Sequence, residues 1–318
     1  MNIINIYRLS LENKKKEAQI LSHFNGETDF LNTLEEFCNH TFREIHYYTD
    51  NKGRQRSFSL ASPAVKDLNQ RSIVGIFEPG YTGDKFKVKD GMTNSLKYSA
   101  SRRDLQSREL FTMIYIPKNT EYAYLCIEKK ENFSIKTVIE NTLNKFLKES
   151  GYLDYKLKIE NSPNYNYLRR MIIEGELKEM NLIREKPLTF DEKPYSSALD
   201  KARVNRNEQV YKFNKESNTT ILKNELFKVF REKYSEFQKI NFLGSLEEFD
   251  EISFILSLDK ITKTFYVKDK SKIRSNMDIT NLVDIVEGEV VLDSLIKACF
   301  MCIGNIENSS FDDIEDVA

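Results

Sequence analysis

Several side chains have types and spacings that suit chemistry. Cys299 and Cys302 form a C-x-x-C, the spacing of redox dithiols and of half a zinc site. Both fall late in an apolar helical stripe, whereas a redox pair sits at a helix start, where the dipole lowers a thiol pKa. The chain has no second C-x-x-C to complete a zinc site, so core packing is the better reading. Cys38, His40 and His46 are close enough in sequence to supply three metal ligands, but their spacing fits no zinc template and a fourth ligand is not visible. Ordinary structural use is the better reading again. His23 is the only other histidine, which leaves a Ser/His/Asp hydrolase few bases, and there is no G-x-S-x-G. No phosphate-cradling glycine motif is present; Gly80-Tyr81-Thr82-Gly83 reads as a turn.

Two further patterns point toward nucleic acid. A metal-dependent nuclease holds Mg²⁺ on carboxylates and places a lysine near the scissile phosphate. Glu128 and Lys130 have the E-x-K form of the PD-(D/E)xK nucleases, and Asp84, Asp90, Asp104 or Glu109 is available as the earlier acid. With 31% charged residues such a pattern arises easily by chance, and a solvated strand end competes with it. The basic pattern is broader. Lys85, Lys87 and Lys89 alternate along a β-prone run, so they share one face while Phe86 and Val88 turn to the core. Arg54 and Arg56 repeat this nearby, and a loop running from Lys97 and Tyr98 through Arg102 and Arg103 to Arg108 adds more charge. Residues 51–118 carry 13 Lys/Arg against 6 Asp/Glu, although the whole chain has a net charge of −1. Such a stripe can track phosphates, with Tyr81 or Tyr98 to stack on bases. The bland alternative is the solvated face of an antiparallel sheet.

The elements that would position these groups follow from periodicity. At 318 residues the chain predicts two domains. Helical spacing marks residues 29–39, 135–147 (capped by Ser134), 165–173, 222–237 and 290–303. Three β-hairpins are expected: 42–49 with 56–61, 72–77 with 85–89, and 110–116 with 121–128. An opening strand, another at 153–159, one at 177–184, and a hairpin at 252–267 complete the inventory. The fold class is therefore α+β: an antiparallel sheet of successive hairpins with helices on one face, plus a smaller α+β C-terminal domain. The expected division is a β-rich domain at 1–186, a linker or excursion at 187–217, a second domain at 218–306 and an acidic tail at 307–318. No apolar run reaches the ~18 residues of a membrane-spanning helix. Four cysteines are too few for a disulfide scaffold, and the first residues lack a secretory layout, so the expected location is the cytoplasm. Richness in Lys, Asn, Ile and Glu suggests a bacterial, AT-rich coding source.

One layout is familiar. A strand pair at Phe111-Thr112-Met113-Ile114-Tyr115-Ile116-Pro117 and Tyr124-Leu125-Cys126-Ile127-Glu128 precedes Ile135-Lys136-Thr137-Val138, which opens a helix; Met277-Asp278-Ile279-Thr280 comes later. Together they resemble bacterial proteins of about this size found in phage-defence neighbourhoods. More loosely, the order resembles the DNA-binding protein of the lambdoid phage-exclusion system and the DNA-binding subunit of the Kiwa defence system. The resemblance spans residues 111–146 and the short later stretch, and no catalytic residue comes with it. It implies antiviral defence with nucleic-acid binding.

The expectation is thus a DNA-binding defence protein acting with a partner protein, with a homo-oligomer left open, and with phosphate contacts from Arg54, Arg56, Lys85, Lys87, Lys89, Arg102 and Arg103. It needs no cofactor. One rival is a Mg²⁺-dependent nuclease using Glu128 and Lys130; another is a non-enzymatic adaptor or viral antagonist meeting a protein through the acidic tail or residues 185–217.

Overall fold

A computed structural model of the chain describes residues 2–49, 55–83, 85–130, 135–184, 207–214, 217–235, 238–244, 248–258 and 261–308. They fall into two compact units, one of Met1–Glu160 with Asn276–Ile303, the other of Asn161–Ser275 with Gly304–Ala318. In chain order the first stretch holds β1 (Ile3–Glu12), α1 (Phe30–Arg43), β2 (His46–Thr49), β3 (Gln55–Leu60), β4 (Val65–Asp67), β5 (Ser72–Tyr81), β6 (Lys87–Lys89) and β7 (Leu96–Ser99). It continues with β8 (Gln106–Ser107), β9 (Leu110–Tyr115), β10 (Tyr122–Glu128), α2 (Lys136–Glu149) and β11 (Lys156–Asn161). The second unit contains α3 (Tyr165–Glu174), β12 (Glu176–Arg184), β13 (Asn207–Lys212), α4 (Thr220–Arg231), β14 (Ile240–Asn241), β15 (Glu248–Phe249), β16 (Glu251–Leu258) and β17 (Ile261–Tyr266). The chain then returns through β18 (Asn276–Asp278), β19 (Ile285–Val286), β20 (Glu289–Val290) and α5 (Leu292–Glu307). The fold is α+β, with mostly antiparallel sheets.

The main sheet of the first unit has the order β11-β1-β10-β9-β5-β3-β2, with β18 beside β1 and with β4 and β8 beside β5, and it curls into a half-barrel. Its central strands β9 and β10 are buried along nearly their whole length, so both faces must be covered. On one face Ile114, Leu125 and Ile127 join Leu34 and Phe37 of α1 and Val138 and Leu143 of α2 in a single core. On the other, Cys126 of β10 meets Cys299 of α5, and Phe300 of α5 packs edge-on against Tyr115 with ring centroids 5.2 Å apart. Helices therefore lie on both faces, which corrects the one-sided expectation. The start of α1 is fixed by Asp29, whose carboxylate accepts from Leu31 N–H and from both terminal nitrogens of Arg71 at 2.8 and 3.0 Å. Ser134, the expected cap of α2, lies outside the described residues.

The second unit is built on the sheet β13-β12-β16-β17. Its core gathers Leu168 and Met171 of α3, Phe230 of α4, and Phe254 and Phe265, whose rings stack 5.1 Å apart.

The expected division fails at two points. The sequence reading assigns β12 to the first domain, but its backbone pairs with β16 from Glu176 to Ile183, which binds it into the second unit. Residues 276–303 belong to the first unit, where β18 pairs with β1. Part of the expected excursion is strand β13, paired with β12. Residues 187–206, like the tail beyond residue 308, lie outside the described residues.

Candidate nucleic-acid interface

The expected hairpin of residues 72–77 with 85–89 does not form. β5 is ten residues long and pairs instead with β3, β4, β8 and β9, because its apolar residues serve the middle of the sheet. The lysine run then has no sheet to join. β6 pairs with β7 alone, as Lys87↔Ser99, Val88↔Tyr98 and Lys89↔Leu96, with a bulge after Val88. Every residue of both strands is exposed. Val88 at 43% and Tyr98 at 51% exposure are thus outside the core, contrary to the half-buried strand that alternation suggests. The result is a two-stranded ribbon with both faces in solvent.

The root of the ribbon is pinned. Arg56 and Tyr81 are register partners at the ends of β3 and β5, with the guanidinium 5.1 Å from the Tyr81 ring centroid. Gly83 N–H donates to the Arg102 carbonyl at 3.0 Å, Ala100 N–H to the Phe86 carbonyl at 2.8 Å, and Arg108 N–H to the Pro79 carbonyl at 3.3 Å. Leu105 folds back over Gly80, where a Cβ would stand 2.5 Å from Ser57 Oγ and 2.8 Å from Leu105 Cδ1. Only glycine lets the returning limb lie so close. Within that limb Asp104 accepts from Tyr98 O–H at 2.6 Å and Ser101 N–H at 2.7 Å, and these bonds lower its carboxyl pKa. Arg102 and Arg103 occupy the turn so formed and are exposed.

Six of the seven expected phosphate contacts therefore belong to one continuous structure, the ribbon and its root; Arg54 lies outside the described residues. Residues 85–108 carry seven Lys/Arg against two acids, and both acids are engaged within the ribbon. Sequence reasoning does not single out Met92 at the ribbon tip. The signal for it lies in Asp90-Gly91 and Asn94, turn-forming residues set between two basic runs.

The other candidates are placed as follows. Lys130 Nζ lies 3.2 Å from Glu128 Oε2 and donates to the Glu109 carbonyl at 3.0 Å, while Glu128 Oε2 accepts from Phe111 N–H at 3.2 Å. Glu109, Glu128, Lys130 and Glu289 line a cleft of about 430 Å³ in the first unit. Among the described residues no group of three or more His, Cys, Asp or Glu is disposed to hold a metal. Asp90 and Asp104 are used by the ribbon, and Asp84 lies outside the described residues. Cys38 is in the core, whereas the rings of His40 and His46 lie 5.1 Å apart, tilted by 54°. Burial, with His40 and Lys145 nearby, lowers the His46 pKa. Cys299 and Cys302 are buried, as core packing requires. The sequence does not disclose that Cys126 joins them; burial pushes the Cys302 thiol up to about 12, and the hydrogen bond with Cys299, together with burial, pushes that of Cys126 the same way, so Cys126 and Cys302 stay protonated.

Among the described residues no helix is long and apolar enough to cross a membrane. No protein-family model matches the chain, and no curated protein matches it either.

Proposed function

We propose that the protein binds nucleic acid, duplex DNA foremost, by laying the β6–β7 ribbon in a groove while Arg56, Arg102 and Arg103 hold phosphates at its root. The observation that carries this reading is the ribbon itself. A strand pair that contributes nothing to a core, exposes Val88, Leu96 and Tyr98, and bears Lys85, Lys87 and Lys89 needs an occupant for both its charge and its apolar surface. A DNA groove offers both, and β-ribbons of other DNA-binding proteins enter the major or the minor groove. The setting implied by the sequence resemblance, bacterial anti-phage defence with a partner protein, belongs to the same proposal.

Fluorescence anisotropy on double- and single-stranded DNA and on RNA, across a salt series, tests it. Wild-type protein binds duplex DNA with an affinity that falls steeply with salt. Replacing Arg56, Lys85, Lys87, Lys89, Arg102 and Arg103 by alanine removes roughly 0.9 from the salt slope for each phosphate that is no longer neutralised. Equal affinity and slope in that variant would overturn the reading. A second reading, a Mg²⁺-dependent nuclease, rests on Glu128 and Lys130 standing 3.2 Å apart at one cleft. Running the recovered DNA on a gel decides it: cutting that requires Mg²⁺ and disappears in Glu128→Ala supports a nuclease, and intact strands exclude it for that substrate.

A further inference from the structure

The ribbon ends in a turn whose side chains are all polar except one. Met92 is 98% exposed. An exposed apolar residue needs no explanation by itself; the hydrogen-bonded turn that carries it is what sets this one apart. Asp90 Oδ1 accepts from the N–H groups of Met92 at 3.0 Å and Thr93 at 2.9 Å. Asp90 N–H donates to the Ser95 carbonyl, and Asn94 N–H to the Asp90 carbonyl, both at 2.9 Å. Asn94 stands at φ +56°, a left-handed conformation that asparagine tolerates. Two flanking cations close the structure: Lys97 Nζ sits 2.9 Å from Asp90 Oδ2, and Lys89 Nζ donates to Asn94 Oδ1 at 3.0 Å. The bond from Lys97 and those from the turn N–H groups hold the Asp90 carboxyl well below the usual carboxylate range, so it stays ionised as the acceptor of the turn.

We infer that Met92 is a wedge: with the ribbon in the minor groove of duplex DNA, its side chain enters between two base pairs, unstacks them and kinks the duplex. This rests on the nucleic-acid reading above and specifies how the same ribbon binds. Minor-groove proteins that bend DNA insert apolar side chains in this way, methionine among them, and use Lys, Arg, Asn or Gln in the groove beside them. The tip has that composition. Lys97 neutralises the Asp90 carboxylate, and Lys89 leaves the tip one net positive charge, which a narrow minor groove attracts. Asn94, its Oδ1 taken by Lys89, turns its amide N–H groups to the N3 and O2 acceptors that A·T pairs display there. Reach is sufficient. From Phe86, where the ribbon is last tied to its root, to Asp90 is four residues, roughly 13 Å at ~3.3 Å each, against a groove depth of about 7.5 Å. A fixed turn also inserts its side chain with little loss of conformational freedom, which a loose loop would not. The easily unstacked TA step is the favoured site.

The test uses the full chain and an end-labelled duplex of about 25 base pairs with a central TA step, followed by energy transfer for bending and by anisotropy for binding. A 2-aminopurine at the step reports unstacking. Wild type should raise energy transfer and brighten the 2-aminopurine. Met92→Ala should bind within about tenfold of wild type yet do neither, and Met92→Leu should restore both. Binding by wild type without bending or brightening would overturn the wedge and leave the nucleic-acid reading intact. Met92→Ala bending as wild type does would overturn it as well. Absence of binding by the wild type would remove the nucleic-acid reading itself.

Discussion

In the ribbon, Lys87 and Lys89 stand on a strand exposed from end to end, whereas in the second unit Lys263 is 4% exposed and donates to the Arg274 carbonyl at 2.9 Å. Lys223 of α4 turns inward too: its Nζ donates to the carbonyls of Ile173 and Gly175, at 3.0 and 2.7 Å, where α3 ends and would otherwise leave those acceptors open. One residue type thus has two uses. Inward lysines cap backbone and hold the second unit together; the outward lysines make at most surface bonds within the ribbon, as Lys89 does to Asn94, and keep their charge open to a ligand. A count of charges along the sequence cannot separate the two. Where each Nζ ends can.

The largest effect should come from the backbone that Lys223 braces. A Cβ added at Gly175 would lie 2.3 Å from the Met171 carbonyl oxygen, an atom of the helix backbone that cannot turn aside. Gly91, in the ribbon turn, has nothing within 4 Å of its Cβ position. Gly175→Ala should therefore cost about 3 kcal/mol in urea unfolding, while Gly91→Ala stays within about 0.5 kcal/mol of wild type. Equal costs would mean that the ribbon is as tightly built as the second unit, and the contrast would fail.

Much of this organisation is legible in the sequence. The α+β class follows from strand runs and helical stripes whose periods differ, and the basic residues at 56 and 85–103 read as one basic region. What periodicity cannot give is strand partnership. Lys85–Val88 alternates as a half-buried strand does, yet Val88 faces solvent, because the partner strand it needs, β5, is taken up on both edges by β3 and β9. The boundary near residue 160 is hidden for a similar reason: β12 pairs with β16, more than 70 residues later, and no composition shift marks a chain that leaves one sheet to build another. The E-x-K at Glu128 is readable as a pattern, but whether a third carboxylate converges on it is decided by the ends of strands far apart in sequence.

A smaller effect sharpens the comparison through pH. Burial lowers the Lys263 pKa from 10.5 to about 8. Below pH 8 the amine is charged in both the folded and the unfolded chain, and the cost of burying it is fully present. Between pH 8 and 10.5 the folded chain gives up its proton before the unfolded chain does, so this group makes stability rise with pH. Wild type should gain about 2 kcal/mol more than Lys263→Met between pH 8 and 10, measured by urea midpoints at each pH. Parallel curves would show that the amine is solvated after all.

The smallest effect concerns the ribbon lysines. Lys85, Lys87 and Lys89 are exposed, and the contact seen for Lys89, a 3.0 Å bond to Asn94, lies at the surface, where water competes for both partners. Replacing all three by alanine removes no buried hydrogen bond and opens no cavity. Folding stability should shift by less than about 0.5 kcal/mol, even as duplex affinity and its salt slope fall. Affinity and stability must be measured on the same preparation, because their separation is the point at issue. A drop of more than about 1 kcal/mol would mean that these lysines brace the ribbon as Lys223 braces α3, and the ribbon would then be a structural element whose charge is incidental.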